Sequence, residues 1–424
     1  MTILLVAIAM VGIIAMAALS IDVVELYLAR MEAQRAADAA AIAGARILSL
    51  TGVTGDPDNT LGGLSTPPWP TACTLATQVA QAVANQNNVG GAAAATATVT
   101  FLYNGAATDC NIAPGAAFAV NPQVQVQVVR NGLPTLFSRM WGRSTNSVSA
   151  TATAEAFNPS NSGSFAPSGS VVPVTPRCVK PWIMPNRDLL TGAQFVNPLT
   201  GSIITKGIRL GGAGSGEIGE NFTLTNACTN PLDCKDRKGQ SVAAATYVPA
   251  LISTSTPASA VPSCADVSDF QKAVGGCDES TVYACGTPGG AQADLTINPY
   301  ADTYAAVQCL IRDPAGPDVI DVSGFPFQIK AGPANPIAPQ NQVLTSSTSI
   351  VTIPIFDNGG SWPNADQPAI TIVGFLQVFI QGGSETAGGS MNVHVLNVSG
   401  CSNNTSNLGV QGTSPVPVRL ITPQ

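Results

Sequence analysis

The sequence predicts an α+β protein in which a long N-terminal hydrophobic helix carries a small α+β head, followed by a β-rich second domain stapled by disulfides. Three observations support this fold class. The first fifty residues run without a turn or helix breaker. Several later segments alternate apolar and polar residues with the period of a strand. Ten cysteines are scattered along the chain beyond the helix.

The composition is that of a β- and loop-rich protein with a weakly charged surface. Only 10% of the 424 residues are charged, the net charge is −7, and glycine (41) and proline (32) are abundant. Such a chain has room for two or three domains with loop-rich surfaces. Because it has no basic run and few aromatic residues, we expect no nucleic-acid partner.

The first half of the predicted helix, within residues 1–52, is long enough to cross a membrane. Residues 3–19 read ILLVAIAMVGIIAMAAL and carry no charge, and about 20 apolar residues span a bilayer. No Lys or Arg precedes Arg30, whereas a signal peptide begins with positive charge. We therefore expect residue 1 to be a mature end, exposed by removal of a short basic leader.

The second half of the helix carries a seam of small residues. Positions 26, 29, 33, 36, 40, 43 and 47 follow a heptad spacing and are mostly alanine, which lets helix backbones approach closely. The spacing leaves open whether sister helices or the chain's own head cover this seam. Asp22 lies almost in line with the seam and needs a partner, for which Arg30 of a neighbouring chain is the predicted candidate.

The string SIDVVELYLARMEAQRAADAAAIAGA (20–45) resembles the N-terminal segment of the TadG-like proteins of tight-adherence (Tad) pilus systems. The matching residues are Asp22, Val23, Tyr27, Leu28, Ala29, Arg30 and the run 36–41. A weaker similarity extends through 128–156. The resemblance implies export, a pilin-like N-terminal helix, an extracytoplasmic head, and the pilus assembly machinery as a partner.

A pilin-like α+β head is predicted at residues 53–157. Segment 73–89 has helical spacing, and 96–103, 123–129 and 147–156 alternate like strands. A short helix is predicted at 134–141. Cys73 and Cys110 are the only cysteines of this region, and we expect them to form a disulfide.

The Ser-, Gly- and Pro-rich segment 158–176 is predicted to be a linker, and 177–424 to be the β-rich domain. Its strands are predicted within 349–360, 369–383 and 390–400. The even cysteine number in an exported chain predicts that all cysteines are oxidised. Cys228 with Cys234, and Cys277 with Cys285, are near enough to close small loops, although many pairings are possible. The predicted disulfide cysteines are Cys73, Cys110, Cys178, Cys228, Cys234, Cys264, Cys277, Cys285, Cys309 and Cys401.

Catalytic and metal chemistry have little support in the sequence. His394 is the single histidine and lies in an alternating strand, where a structural role is favoured. No GxSxG nucleophile motif occurs, and the turn 55–63 lacks the spaced acids and the glutamate of an EF-hand. We therefore predict no enzyme activity, no bound metal and no cofactor.

Three functions are compatible with the sequence. The favoured one is a structural subunit of an extracellular pilus-like filament, inserted in the inner membrane before assembly and then polymerising with itself through the helix. The second is a membrane-anchored TadG-like accessory protein that assembles or tethers a pilus. The third is a stalked, secreted binding module or hydrolase. The predicted helix interface comprises Leu4, Ile8, Val11, Ile14, Asp22, Leu26, Ala29, Arg30, Ala33, Ala36, Ala40, Ala43 and Ile47.

Overall fold

The computed structural model describes residues 2–51, 54, 68–93, 96–103, 106–111, 121–135, 137–138, 142, 145–158, 174–187, 192–204, 221–227, 243–253, 268–286, 291–295, 299–323, 327–359, 362–385, 389–401 and 410–421. The α-helices in these residues are α1 Thr2–Leu50, α2 Pro68–Gln86, α3 Asp269–Gly275 and α4 Pro299–Ile311. The strands are β1 Asn88–Val89, β2 Ala92–Ala93, β3 Thr96–Tyr103, β4 Ala106–Thr108, β5 Gln123–Pro134, β6 Thr145–Ala156, β7 Val174–Pro176, β8 Trp182–Pro185, β9 Asn221–Asn226, β10 Thr246–Pro249, β11 Ala291–Gln292, β12 Val319–Asp321, β13 Gln328–Lys330, β14 Ile350–Phe356, β15 Ala369–Ile370, β16 Ile372–Ser384, β17 Ser390–Gly400, β18 Val410–Gly412 and β19 Val418–Ile421. The predicted α+β class and the long N-terminal helix are confirmed.

The first head is a five-stranded antiparallel sheet packed against α1 and α2. Its strand order is β19-β6-β5-β3-β4, and the strands predicted at 96–103, 123–129 and 147–156 are confirmed as β3, β5 and β6. Along β5 the side chains of Val124, Val126 and Val128 are fully buried, because alternate residues of a strand point to one face. This face lies against the helices.

The C-terminal strand also belongs to the first sheet. β19 pairs antiparallel with β6, with Val418 opposite Ala156, and Arg419 Nε donates to Glu155 Oε1 at 2.5 Å. The predicted division placed this segment in the second domain and therefore needs a correction: residues 418–421 return to the first head. The physical reason is that β6 would otherwise present an unpaired edge.

The second domain is built on a closed barrel of six strands in the order β10-β8-β14-β16-β17-β9. Nearly every residue of β14 and β17 is buried, as is β16 up to Ile380, so these strands are covered on both faces. Helix α4 packs against β16 and β17. The strands predicted within 349–360, 369–383 and 390–400 are confirmed as β14, β15 with β16, and β17.

Every cysteine that the structure describes is in a disulfide. The pairs are Cys73–Cys110, Cys178–Cys277 and Cys285–Cys401, and Cys309 is also bonded. The predicted first pair is confirmed. A Cys277–Cys285 pair is wrong, because the barrel brings each of these two residues to a distant partner. Cys228, Cys234 and Cys264 lie outside the described residues.

Parts of three other predictions also lie outside the described residues. These are the linker 158–176, apart from 158 and 174–176, and the turn 55–63. Of the predicted helix 134–141, Pro134 ends β5, and beyond it only residues 135, 137 and 138 are described.

Candidate functional site

The N-terminal half of α1 is an exposed apolar rod. Its large apolar side chains from Ile3 to Met16 are 58–85% exposed, and the mean hydropathy of its most apolar window is 2.8. Residues 2–21 extend over about 30 Å at 1.5 Å per residue, which matches the hydrocarbon core of a bilayer. A membrane or other apolar helices must cover such a surface. The predicted interface residues Leu4, Ile8, Val11 and Ile14 lie on this rod.

The C-terminal half of α1 lies in the core of the first head. Among the seam residues, Ala33, Ala36 and Ala40 are fully buried, and Ala29, Ala43 and Ile47 are nearly so, while Leu26 packs at the edge of the core. The helix contacts α2, β5 and β6 along this face. From Ala29 onward the seam is thus an internal packing surface, whose side chains have almost no area left for a neighbouring copy.

Gly44 shows how closely the helix and the head approach. A Cβ built on this residue would lie 3.0 Å from Val124 Cγ1 on β5 and 3.4 Å from Ala80 Cβ on α2. These distances leave little room for any larger residue on the helix. Small residues are therefore required here because both the sheet and α2 lie directly on the backbone of α1.

Asp22 marks the boundary between the free and the buried halves of α1. Its side chain is 4% exposed, and its Oδ2 accepts hydrogen bonds from the backbone N–H of Phe137 at 3.1 Å and of Ser138 at 2.7 Å. Arg30, the partner type predicted from a neighbouring chain, is exposed. The acid is therefore satisfied within its own chain, and it holds the head to the helix where the apolar rod ends.

We expect Asp22→Ala to lower the free energy of unfolding of the first head by about 1.5–3 kcal/mol, because two half-buried amides lose a charged acceptor. Urea denaturation of the full chain in detergent measures this loss. Glu25→Ala is the matched control, since Glu25 is exposed one turn later. Equal losses for the two variants would contradict a holding role for Asp22.

Beyond Asp22 the face of α1 that points away from the head stays apolar. We call it the outward stripe: Val24, Tyr27, Leu28 and Met31. These side chains follow the i, i+3, i+4, i+7 spacing of one helix face and are 43–64% exposed. This stripe was not predicted from the sequence, although the helical spacing that starts at Val24 contains all four residues.

The outward stripe borders a groove at the base of the head. The groove has a volume of about 290 Å³, and Leu28 lines one side of it while Leu133 and Pro134 line the other. An apolar side chain from another molecule could occupy this space. The acids Asp22, Glu25 and Glu32 also line the groove, so it adds a mixed apolar and acidic surface beside the stripe, outside the predicted membrane span.

The end of α1 is also joined to the barrel. Asn397 of β17 donates its side-chain amide to the backbone oxygen of Ser49 at 2.7 Å. Asn158 donates to the backbone oxygens of Thr54 at 3.1 Å and of Val398 at 3.4 Å. All these groups are buried. The bond of Asn397 joins the end of α1 to the barrel, and the two bonds of Asn158 join the end of the first head to Thr54 and to the barrel.

The described residues contain little that could support catalysis or metal binding. His394 is 4% exposed, and its Nε2 lies 2.8 Å from Gln381 Oε1, so it has a hydrogen-bonded place in the barrel. The one candidate metal group among them is Cys178, Cys277 and Glu279. Its two sulfurs form a disulfide, and metal binding by cysteine requires thiolates.

Helix α1 thus has a free apolar half and a half that is buried in a small α+β head. Residues 1–46 match the family model described as Tad, putative Flp pilus-assembly TadE/G-like. The N-terminal segment is therefore similar to a pilus-assembly family, which confirms the resemblance found in the sequence. The match covers α1 and neither head. No curated protein and no solved structure matches the chain.

Proposed function

We propose that the chain is a structural subunit of an extracellular pilus-like filament of the Tad or type IV-related kind, which polymerises through α1. Before assembly the apolar rod lies in the inner membrane. The pilus assembly machinery then transfers the subunit to the filament, where the rod packs against the rods of other copies. The heads form the surface of the filament.

The observation that carries this proposal is the outward stripe. A membrane anchor needs apolar side chains only across the bilayer core, whereas the stripe continues for about 15 Å beyond Ile21. A helix of another copy laid on the stripe would gain about 1.5–3 kcal/mol for each large side chain that it fully buries. The groove beside Leu28 offers a place for one of the neighbour's apolar side chains.

The buried seam supports one choice of face for the proposed interface beyond Asp22. Because Ala33, Ala36 and Ala40 are covered by the head, the proposed contact between copies uses the opposite face. Beyond Asp22 it consists of the outward stripe. Along the apolar rod no head covers α1, so Leu4, Ile8, Val11 and Ile14 are exposed and also belong to the proposed contact, although they lie in line with the seam. The seam instead gives every subunit the same rigid angle between head and helix.

Leu28→Glu tests the proposal. A charge in the stripe cannot be buried between apolar helices without a large cost, so we expect the filament to be absent from sheared cell-surface material. The variant should remain in the membrane fraction with its disulfides formed, because Leu28 is 55% exposed and lies outside the core of the head. Electron microscopy and immunoblotting of the sheared and membrane fractions measure both outcomes.

Leu199→Glu is the matched control, since Leu199 is 74% exposed in the second domain and receives the same charge. This variant should assemble like the unmodified protein. Normal filaments from Leu28→Glu would show that the stripe is not an interface, and the proposal would fail.

The second candidate function is a membrane-anchored accessory protein that assembles or tethers a pilus. The observation that favours it is the length of the rod, which equals one bilayer core and ends at the buried Asp22. In this case the unmodified protein would stay in the membrane fraction, and sheared surface material would lack it.

A further inference from the structure

We propose that a cavity between the end of α1 and the barrel binds a small polyhydroxylated anion, such as a sugar acid or a sugar phosphate. The cavity has a volume of about 440 Å³ and lies among the last turns of α1, strand β14 and the segment 412–418. Small-molecule sites usually have volumes of roughly 300–1,000 Å³. This inference goes beyond the filament function, which rests on another face of α1.

The cavity is cationic within an acidic protein. Arg46 of α1 and Lys180, two residues before β8, both line it, and its described lining includes no Asp or Glu. The whole chain has a net charge of −7. A local reversal of sign inside a cleft concentrates anions there.

Arg46 is the group that we expect to contact the anion. Burial lowers the pKa of its guanidinium, and no charge from the described residues offsets this effect. A partly desolvated guanidinium with no carboxylate beside it has its donors available, and its planar fork matches a carboxylate or a phosphate.

Lys180 supplies charge to the cavity rather than a direct contact. Its Nζ donates to the backbone oxygen of Gly276 at 2.5 Å. Burial lowers the pKa of its ammonium group to about 8, and the nearby Asp278 acts in the opposite direction. The group therefore remains mostly protonated at neutral pH and adds to the positive potential around Arg46.

Much of the remaining wall consists of hydroxyl groups. Those of Ser49, Thr345, Ser346, Ser347, Thr348, Thr352, Thr413 and Ser414 are in the lining residues. Some of them bind the protein itself: Ser49 Oγ donates to the backbone oxygen of Val416 at 3.0 Å, and Thr352 Oγ1 to that of Thr413 at 2.9 Å. Ser347 Oγ donates to Asp318 Oδ2 at 2.5 Å, and Ser414 Oγ accepts from the backbone N–H of Val416 at 3.2 Å. The hydroxyl groups of Thr345, Ser346 and Thr413 form no hydrogen bond with the described residues and are available to a ligand.

Two buried polar atoms beside the cavity have no hydrogen-bond partner in the described part of the chain. They are Thr348 Oγ1 and Gln377 Oε1, and Gln377 is only 4% exposed. Such orphaned atoms are rare in folded proteins and call for a missing partner. A bound sugar acid would pair with these two atoms once their side chains turn toward the cavity.

Isothermal titration calorimetry of the full chain in detergent tests this site with three probes: glucuronic acid, glucose 6-phosphate and glucose. We expect the anionic probes to bind at least about tenfold more tightly than glucose, because only they meet Arg46. The ratio between the two anionic probes shows whether the site prefers a carboxylate or a phosphate.

Arg46→Gln should weaken binding of the anionic probes by about tenfold or more, and Arg46→Lys should lose less because it keeps the charge. Arg35→Gln is the matched control, since it removes the same charge from an exposed position of the same helix. Failure of both anionic probes to bind, or equal binding by Arg46→Gln and the unmodified chain, would overturn the proposal.

A chemical measurement on the unmodified chain decides the matter if Arg46→Gln does not fold. Phenylglyoxal modifies accessible arginines, and mass spectrometry locates the modified residue. We expect glucuronic acid or glucose 6-phosphate to slow modification of Arg46 and to leave that of Arg35 unchanged. Equal rates at Arg46 with and without these probes would overturn the proposal.

Discussion

Ala36→Leu is expected to lower the free energy of unfolding of the first head by about 1–3 kcal/mol. Ala36 is fully buried in the core that α1 forms with the head, and α2, β5 and β6 lie directly on this face of the helix. A leucine adds an isopropyl group for which a close-packed core has no space. The sheet or α2 must therefore move away from α1. Ala40→Leu should behave in the same way.

Urea denaturation of the full chain in detergent, followed by tryptophan fluorescence, measures this effect, since Trp69 is fully buried in the same core. Arg35→Leu is the matched control, because Arg35 is next to Ala36 in the helix but is exposed. Surface substitutions usually change the free energy of unfolding by no more than about 0.5 kcal/mol. Suppose that Ala36→Leu keeps normal stability but forms no filaments. The seam would then be a contact between copies, contrary to the packing described here.

The sequence was sufficient to locate the seam but not to identify what covers it. A line of small residues indicates that another backbone segment packs closely on the helix. That segment can belong to a sister helix or to the chain's own head. A second row of alanines was the available signal. Residues 72, 76, 80 and 84 of α2 are all fully buried at one-turn spacing, so α2 is shaped to lie against another small-residue helix.

Period-two alternation located β3, β5 and β6 because these strands have one face toward the helices, whereas β14, β16 and β17 are buried on both faces. It could not find β19, whose central residues are exposed and which shows no alternation. The pairing of β19 with β6 depends on the closeness of the two chain segments in the folded protein. Likewise, the spacing of cysteines along the chain did not identify the pairs in the barrel, because the strands bring together residues that lie far apart in sequence.

The partner of Asp22 illustrates a further limit. Burial physics required that this acid be paired, and a charged side chain was the natural expectation. The actual donors are backbone amides, and that of Phe137 is 115 residues away. Every residue except proline has such an amide, so the sequence contains no mark that distinguishes these two.

Loss of the Cys285–Cys401 disulfide is expected to destabilise the protein more than loss of Cys73–Cys110. Removing a native disulfide typically costs about 2–5 kcal/mol. The first bond joins residues 116 apart, and the second joins residues 37 apart. Because the entropy of loop closure grows with the logarithm of loop length, the longer loop adds about 1 kcal/mol.

The position of Cys401 also indicates that loss of the Cys285–Cys401 disulfide is the more destabilising of the two. Its side chain is fully buried, and its backbone N–H donates to the oxygen of Val373 at 2.8 Å. The backbone of Cys285 forms an isolated β-bridge with Ile372, next to Val373 at the start of β16. The bond therefore links the ends of β16 and β17 to a distant loop, so that its loss frees a long segment of the second domain.

The measurement compares two double variants, Cys285→Ala with Cys401→Ala and Cys73→Ala with Cys110→Ala, by urea denaturation of the full chain without reductant. The midpoint should fall for both variants and should be lowest for the first. Each variant is the control for the other, since both replace two cysteines by alanine. If the two double variants had equal denaturation midpoints, loop length would not determine how much each disulfide contributes to stability. The sulfur packing in each core would then have to account for both losses.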